Sequence, residues 1–183
     1  MSVEPAPAEG SAGPAEPASR TEDITLEFVQ QDEELSSFIS AADRVMEGLG
    51  YTEHGFRHAN LTARIAFNVL SRVGFETHTA NLACVAGYLH DVGNMISRYA
   101  HGQTGGVLVY QALHDRVPAT DLAQIVAAIA NHEEDNGYAV SPVPAAVIVA
   151  DNSDVHRSRG RRPGQLEFDI HDRVNFAAEQ SFL

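Results

Sequence analysis

The stretch Tyr88-Leu89-His90-Asp91-Val92-Gly93-Asn94 decides how this chain can fold. The apolar run before it, residues 80–89, is typical of a buried helix and brings a histidine and an aspartate to its C-terminal end. Gly93 is typical of a helix terminator. Two polar side chains at a buried helix end are costly unless something pairs with them. A divalent metal would pair with both, and the alternative is a buried hydrogen bond between the two neighbours.

Other segments carry apolar residues at helical spacing. Three glycines at 102, 105 and 106 either break regular structure or allow close backbone approach. The apolar run 142–149 contains four β-branched residues, which is compatible with a strand, but its alanines and its position favour a buried helix. The predicted helices cover residues 32–49, 51–73, 76–89, 107–114, 118–131, 142–149 and 169–176. Thr52 is a candidate N-terminal cap for the second of them.

Composition and charge limit the classes of partner. The formal net charge is -13 with histidines neutral, so nucleic acid is not expected as the main partner. All the basic residues are arginines, so any side-chain cation that faces a phosphate must be an arginine. No apolar run approaches the roughly 20 residues that span a bilayer, and the N-terminus lacks the features of a signal peptide. A single cysteine, Cys84, excludes an internal disulfide and favours a cytoplasmic location.

The two ends of the chain differ from its middle. Residues 1–24 are rich in Pro, Ala, Glu, Ser and Gly, which predicts a disordered tail. Residues 25–183 are expected to form one helical domain. The chain stops on the apolar residues 182–183, which indicates either a missing C-terminal extension or a surface that pairs in a homodimer.

Further histidines and aspartates lie at or near the ends of apolar segments. His58 follows His54 by four residues, a spacing that places both on one helix face. His101 lies one short connection past the opening stretch, His132 follows an apolar helix, and Asp151 closes another apolar run. Alternatives stay open for two of these positions. The first histidine pair could be a solvated helix start, and His132 could complement the helix dipole.

The coincidence of these positions is stronger than any one of them. Helical bundles build interior metal sites from side chains on facing helices. The sequence therefore predicts an all-α bundle with a metal site between its helices. Mixed imidazole and carboxylate ligands suit Mn, Fe, Ni or Zn more than Ca, with Mg also open and with one or two ions. The candidate ligands, in chain order, are His58, His90, Asp91, His101, His132 and Asp151.

This ordered pattern resembles the HD-domain metal-dependent phosphohydrolases. The resemblance covers about residues 32–162. It implies an HD-type helical bundle that hydrolyses a nucleotide or another small phosphate ester with a metal-activated water. The matching stretches are His54-Gly55-Phe56-Arg57-His58-Ala59, Tyr88-Leu89-His90-Asp91-Val92-Gly93-Asn94, Ile129-Ala130-Asn131-His132-Glu133-Glu134 and Ile148-Val149-Ala150-Asp151.

The resemblance also implies a role for each ligand. The first ion would be held by His58, His90, Asp91 and Asp151. In members with two metals, a second ion shares the aspartate of the central pair, and here its ligands would be Asp91, His101 and His132.

Three residues are predicted to be catalytic. Asp91 is the first, because it can bridge two ions. Asp154, one helical turn after Asp151, could orient water or bind a leaving group. Arg157, or Arg159 beside it, could neutralise charge on phosphoryl oxygens, although its basic patch could equally be a solvated surface loop.

Two positions depart from the cyclic-dinucleotide phosphodiesterases of HD-GYP type, the subgroup with the greatest similarity. Their downstream motif is partly echoed by Glu133-Glu134-Asp135-Asn136-Gly137-Tyr138. Asn131 stands where they carry the first histidine of a pair, and Asn94 where they usually carry a lysine. These departures count against a cyclic-dinucleotide substrate and against full occupancy of the second site. They keep open a catalytically silent metal-binding module for signalling or scaffolding, and a purely structural helical domain is a third alternative.

Overall fold

The computed structural model describes residues 24–133, 137–160, 174–175 and 177–178. Within these ranges the chain forms α-helices and two short 3₁₀ helices, Val92–Met95 and Arg157–Arg159, and contains no strand. The prediction of an all-α fold is confirmed. The helices are α1 (Leu26–Gln30), α2 (Glu33–Leu49), α3 (Phe56–Arg72), α4 (Thr77–Leu89), α5 (His101–Leu113), α6 (Ala119–Ala130) and α7 (Pro142–Asn152).

Helix α4 lies at the centre of the bundle. Its residues 82–89 are all buried, whichever side of the helix they face. A helix that is apolar all round must be enclosed by other elements. Helices α3, α6 and α7 pack against it, and α1 also contacts it. The C-terminal end of α4 therefore opens into the interior of the protein.

The chain leaves α4 through a tight approach of two backbones. The helix ends at Leu89, and Gly93 lies in the following 3₁₀ helix in a right-handed conformation. A Cβ on Gly93 would overlap the carbonyl oxygen of His101 and lie 2.6 Å from the amide nitrogen of Gly105. The prediction that Gly93 terminates the helix is wrong, because what requires glycine here is the close passage of α5.

The glycines of α5 do not interrupt it. The helix begins at His101, six residues earlier than the apolar pattern predicted, and includes all three glycines. A Cβ on Gly106 would lie 3.3 Å from the carbonyl oxygen of Val126 in α6. The small residues thus let α5 approach both α6 and the turn after α4, which is the close-approach alternative.

Local capping explains the bounds of α2 but not those of α3. The Asp32 carboxylate accepts a hydrogen bond from the Leu35 amide at 2.9 Å, and Gly50 ends α2 with φ +84°. Helix α3 begins after Gly55, which supplies no side-chain cap. The prediction that Thr52 caps this helix is wrong, because Thr52 is buried three residues before the N-cap.

The remaining predictions for the fold have mixed outcomes. Helices α6 and α7 are confirmed, and α7 extends to Asn152, so that Asp151 lies in its last turn. The short helix α1 was not predicted. The last predicted helix, 169–176, falls largely outside the described residues, as does the tail, of which only the buried Ile24 is described. In the described part of the chain, no helix has the combined length and hydropathy to cross a membrane.

Candidate metal centre

All six predicted ligands meet where five helices begin or end. His58 lies in the first turn of α3, and His90 and Asp91 follow α4. His101 is the first residue of α5, His132 follows α6, and Asp151 lies in the last turn of α7. The four histidines are at most 2% exposed, and Asp91 is 8% exposed. Asp151 is half-buried and faces the adjoining cavity.

Three of these side chains, His58, His90 and Asp91, surround one point, and Asp151 adjoins both histidines. The Nε2 atom of His58 lies 3.2 Å from Nε2 of His90 and 3.1 Å from Oδ1 of Asp151. The Oδ2 atom of Asp91 lies 3.5 Å and 3.2 Å from the same two nitrogens, and His90 lies 3.6 Å from Asp151. Donor atoms bound at about 2.1 Å to one tetrahedral or octahedral ion lie roughly 3.0–3.4 Å apart. The spacing therefore suits a single divalent cation.

A second group shares Asp91 through its other oxygen. Oδ1 of Asp91 lies 3.2 Å from Nε2 of His101 and 4.0 Å from Nε2 of His132. The two histidine nitrogens are 3.1 Å apart. Asp91 could therefore bridge two ions, with His101 and His132 as the further ligands of the second.

Hydrogen bonds fix the same tautomer in all four histidines. The Nδ1–H of His90 donates to the carbonyl of Gly87 at 2.8 Å, and that of His132 donates to the carbonyl of Ile129 at 2.7 Å.

The other two histidines follow the same pattern. The Nδ1–H of His58 donates to Asp154 at 2.7 Å. The Nδ1–H of His101 donates to the carbonyl of Arg98 at 3.1 Å and also contacts the Glu133 carboxylate. With Nδ1 engaged, every Nε2 points to the site and offers a lone pair there when its ring is neutral, which is the arrangement of metal-binding imidazoles.

One buried carboxylate oxygen lacks a hydrogen-bond donor. Oδ1 of Asp91 accepts from the side-chain amide of Asn94 at 2.8 Å, whereas Oδ2 has no hydrogen-bond partner among the described residues. This oxygen instead faces Nε2 of His58 at 3.5 Å and Nε2 of His90 at 3.2 Å. An anionic oxygen held against two ring nitrogens needs a positive charge between them, either a proton on one ring or a metal ion. The residues present could thus hold a metal ion.

The electrostatics of the cluster favour a positive charge beside its two aspartates. Burial alone would lower the pKa of His90, but the carboxylates of Asp91 and Asp151 outweigh it and raise that pKa well above its usual value. Burial opposes ionisation of Asp91 and Asp151 too. The surrounding histidines nevertheless hold the pKa of both carboxyls well below the usual range. Burial lowers the pKa of His132 to about 4, so its imidazole is neutral at pH 7 and free to bind a metal.

Asp154 lies behind His58 rather than beside the ligand atoms. Its side chain is fully buried, and its carboxylate accepts two hydrogen bonds from the Arg57 guanidinium, at 2.7 and 3.2 Å. The Arg57 side chain also contacts Glu53 at 2.9 Å. This places Asp154 where it orients the ring of His58, a candidate metal ligand, as carboxylates behind metal-binding histidines do.

A cavity of about 710 Å³ opens over the cluster. Its walls include His101, His132 and Asp151 from the ligand set, and two arginines, Arg98 and Arg159. Arg157 is exposed in the adjacent 3₁₀ helix and does not line the cavity. Of the two arginines considered for catalysis, Arg159 is the one that the structure brings to the cavity.

His54 is not part of either donor group. It precedes the first residue of α3, so the prediction that His54 and His58 share a helix face is wrong. Its Nδ1–H donates to the carbonyl of Thr52 at 2.7 Å, and burial lowers its pKa to about 3. His54 lines the cavity as a neutral imidazole whose ring centroid lies 5.5 Å from that of His58.

Sequence reasoning missed the residues that orient the ligands. Asn94 was considered only as a departure from a family pattern, yet it holds Asp91. Arg57 and Glu133 were not assigned roles, although both flank predicted histidines in sequence. Arg98, three residues before His101, carried no signal beyond being an arginine between two candidate ligands.

Comparisons with known proteins add no family assignment to the fold and the site. No protein-family model matches the chain, and no curated protein and no solved structure is significantly similar to it. The class that the structure defines is an all-α protein with a buried cluster of histidines and aspartates that could hold a metal ion.

Proposed function

We propose that this chain is an HD-type metal-dependent phosphohydrolase that acts on a nucleotide or another small phosphate ester. The observation that carries the proposal is the common orientation of the ligands. Four imidazoles, each with Nδ1 already engaged, turn Nε2 toward two aspartates at the base of a cavity. A purely structural core would have no reason to turn four imidazole Nε2 atoms toward the same two carboxylates.

The donor set suits hydrolysis of a phosphate ester. His58, His90, Asp91 and Asp151 would hold the first ion, and Asp91, His101 and His132 the second. When bound, such ions polarise phosphoryl oxygens and lower the pKa of water, and the mixed ligands favour Mn, Fe, Ni, Zn or Mg over Ca. The carboxylates and imidazoles would hold the ions in place, and the burial of the site strengthens the charge interactions there.

The cavity is compatible with a small anionic substrate. Its volume, about 710 Å³, is within the usual range of small-molecule sites. Two arginines in its wall offer hydrogen-bond donors to phosphoryl oxygens. A cytoplasmic location is proposed on the weaker ground that the only cysteine, Cys84, is buried and free.

The direct test combines metal content with a hydrolysis screen. Protein purified without chelator should contain a divalent transition metal and hydrolyse a generic phosphomonoester, a phosphodiester or a nucleotide. Asp91→Ala should remove both the metal and the activity. The matched control is Asp121→Asn, since Asp121 is also a buried aspartate paired with a histidine, His78, at 3.0 Å, but lies outside the cluster. Metal-loaded protein that cleaves none of these substrates would overturn the enzyme proposal.

A second candidate is a metal-holding module without turnover, used in signalling or as a scaffold. Asn131 favours it, because its side chain caps the end of α6 by donating to Ala127 at 2.8 Å and offers no additional ligand. Stable metal in the wild type together with an inactive substrate panel would support this candidate. Metal-free protein whose melting temperature is unchanged by added Mn²⁺ or Zn²⁺ would instead support the third alternative, a purely structural domain.

A further inference from the structure

Arg98 differs from the other arginines near the site in having no carboxylate partner. Arg57 is bound to Asp154 and Glu53, and Arg159 to Asp154 and the carbonyl of Glu53. Among the described residues, no carboxylate oxygen lies within ion-pair distance of the Arg98 guanidinium. Its charge is therefore not already neutralised, and it lines the cavity.

The guanidinium of Arg98 is nevertheless held in place. Its Nη1 lies 3.1 Å from Nε2 and 3.4 Å from Nδ1 of His101. Nearly equal distances to both ring nitrogens are reached over the face of the ring, not along the lone pair of either nitrogen. The Cζ of Arg98 also lies 5.5 Å from the ring centroid of Tyr51. The Tyr51 ring lies within cation–π range, and the His101 ring and Oδ1 of Asn94, at 3.5 Å from Nη1, also hold the guanidinium.

The backbone at Arg98 is fixed by the site itself. Its carbonyl accepts the Nδ1–H of His101 at 3.1 Å, so the residue that orients this ligand also carries the cation. Ala100, between them, has the left-handed conformation, with φ 54°. That conformation is unusual for a residue with a side chain and turns the chain sharply into α5. Arg98 and His101 are thereby brought to the same wall of the cavity.

From this geometry we infer that Arg98 binds the phosphoryl group of the substrate, through oxygens that point away from the metal ligands. The inference rests on the proposed function and deepens it. A guanidinium offers paired N–H donors that match two oxygens of one phosphoryl group. Since Nη1 of Arg98 lies at similar distances from both ring nitrogens of His101 and not along the Nε2 lone pair, that lone pair stays available to a metal. The cation and the second ligand group can therefore act on the same anion.

The test measures phosphate binding separately from turnover. Inorganic phosphate is titrated into Mn²⁺-loaded full-length protein by calorimetry, with metal content measured in each sample. Arg98→Gln should weaken phosphate binding about 10- to 100-fold with unchanged metal content, as loss of a charge-assisted hydrogen bond predicts. Arg98→Lys should recover only part of that loss, because an ammonium lacks the planar, paired donors of a guanidinium. Arg72→Gln, at an exposed position at the end of α3, is the control and should bind phosphate as the wild type does.

Each other outcome is decisive. Metal-loaded wild type that binds no phosphate, or Arg98→Gln that binds it within about threefold of wild type, would overturn the inference and leave the metal site standing. If Arg98→Gln loses bound metal to the same extent as it loses phosphate binding, then Arg98 acts by supporting His101, and the inference is overturned as well. Failure of the proposed function looks different, because the wild type would then hold no metal or hydrolyse nothing.

Discussion

Asp154 determines the orientation of His58, and its replacement by asparagine is the sharpest test of how the site is held. The substitution keeps the shape of the side chain but removes its charge. In the wild type, Oδ2 accepts from His58 Nδ1 at 2.7 Å and from Arg57 at 2.7 Å, while Oδ1 accepts from Arg57 at 3.2 Å. In Asp154→Asn one of these oxygens becomes an amide nitrogen, which meets another donor.

The expected effect can be worked out from these contacts. A carboxylate behind a metal-binding histidine commonly contributes 10- to 100-fold to metal affinity, so Asp154→Asn should weaken binding by about that factor. The lost charge-assisted hydrogen bonds should lower the free energy of unfolding by about 1–3 kcal/mol. For a chain of this size, that corresponds to a fall in Tm of roughly 2–12 °C.

The assay is a competition titration with a chromophoric chelator, for Zn²⁺ and Mn²⁺, next to thermal melting of the metal-free protein. Asp121→Asn provides the comparison, since it changes a buried aspartate that touches no ligand and should leave the metal affinity unchanged. The metal titration also separates two roles for Asp154. A group that only oriented water or a leaving group would lower kcat and leave metal affinity intact, whereas a group that positions His58 weakens the metal first. Unchanged metal affinity in Asp154→Asn would refute the positioning argument.

Three further predictions concern other parts of the structure. Chelation of the metal-loaded protein should lower its Tm, because metal present at 100 times its Kd adds about 2.7 kcal/mol to the free energy of unfolding. Calorimetry with and without chelator measures the change in Tm. Gly93→Ala should destabilise the fold by at least about 2–3 kcal/mol in denaturant melts, because its Cβ would overlap the His101 carbonyl; a cost below about 0.5 kcal/mol would contradict that contact. Asp32→Ala should cost about 1 kcal/mol through the lost α2 cap. Burial opposes ionisation of Asp32, but bonds from Leu35 and Arg116 outweigh it and lower its pKa. The stabilisation by Asp32 should therefore be complete at pH 7 and disappear as pH falls below about 4. Urea titrations of the wild type and Asp32→Ala measure it, and a difference in unfolding free energy that stays constant over this pH range would contradict the prediction.

The local pattern of the chain predicted the helices well where a cap or a strict periodicity was present. Helix α2, between Asp32 and Gly50, is an example, because both of its end signals act within one turn. The start of α5 was missed for the opposite reason. Glycine is unfavourable in an isolated helix, and only the packing of α5 against Gly93 and Val126 makes three glycines acceptable there.

The candidate ligands were predictable because apolar segments end in polar side chains that need a partner. His90 with Asp91, His132 and Asp151 each follow or close such a segment, and the structure gathers them at one place. The surrounding residues were less predictable. Asp154 was considered for direct chemistry but lies behind His58. Arg157 or Arg159 was predicted to neutralise charge, and the structure brings Arg159 to the cavity, together with Arg98, for which nothing was predicted.

The sequence by itself determined that the protein is helical and which polar side chains at helix ends would need a partner, because periodicity and polar ends of apolar segments are properties of neighbouring residues. Only the tertiary structure decided how those side chains are held. The Nδ1 of His58 finds its acceptor in Asp154, 96 residues away, and the Nε2 atoms of His101 and His132 meet across 31 residues. Such pairings depend on how α3, α5, α6 and α7 pack around α4. No local pattern records which ring nitrogen each partner leaves free.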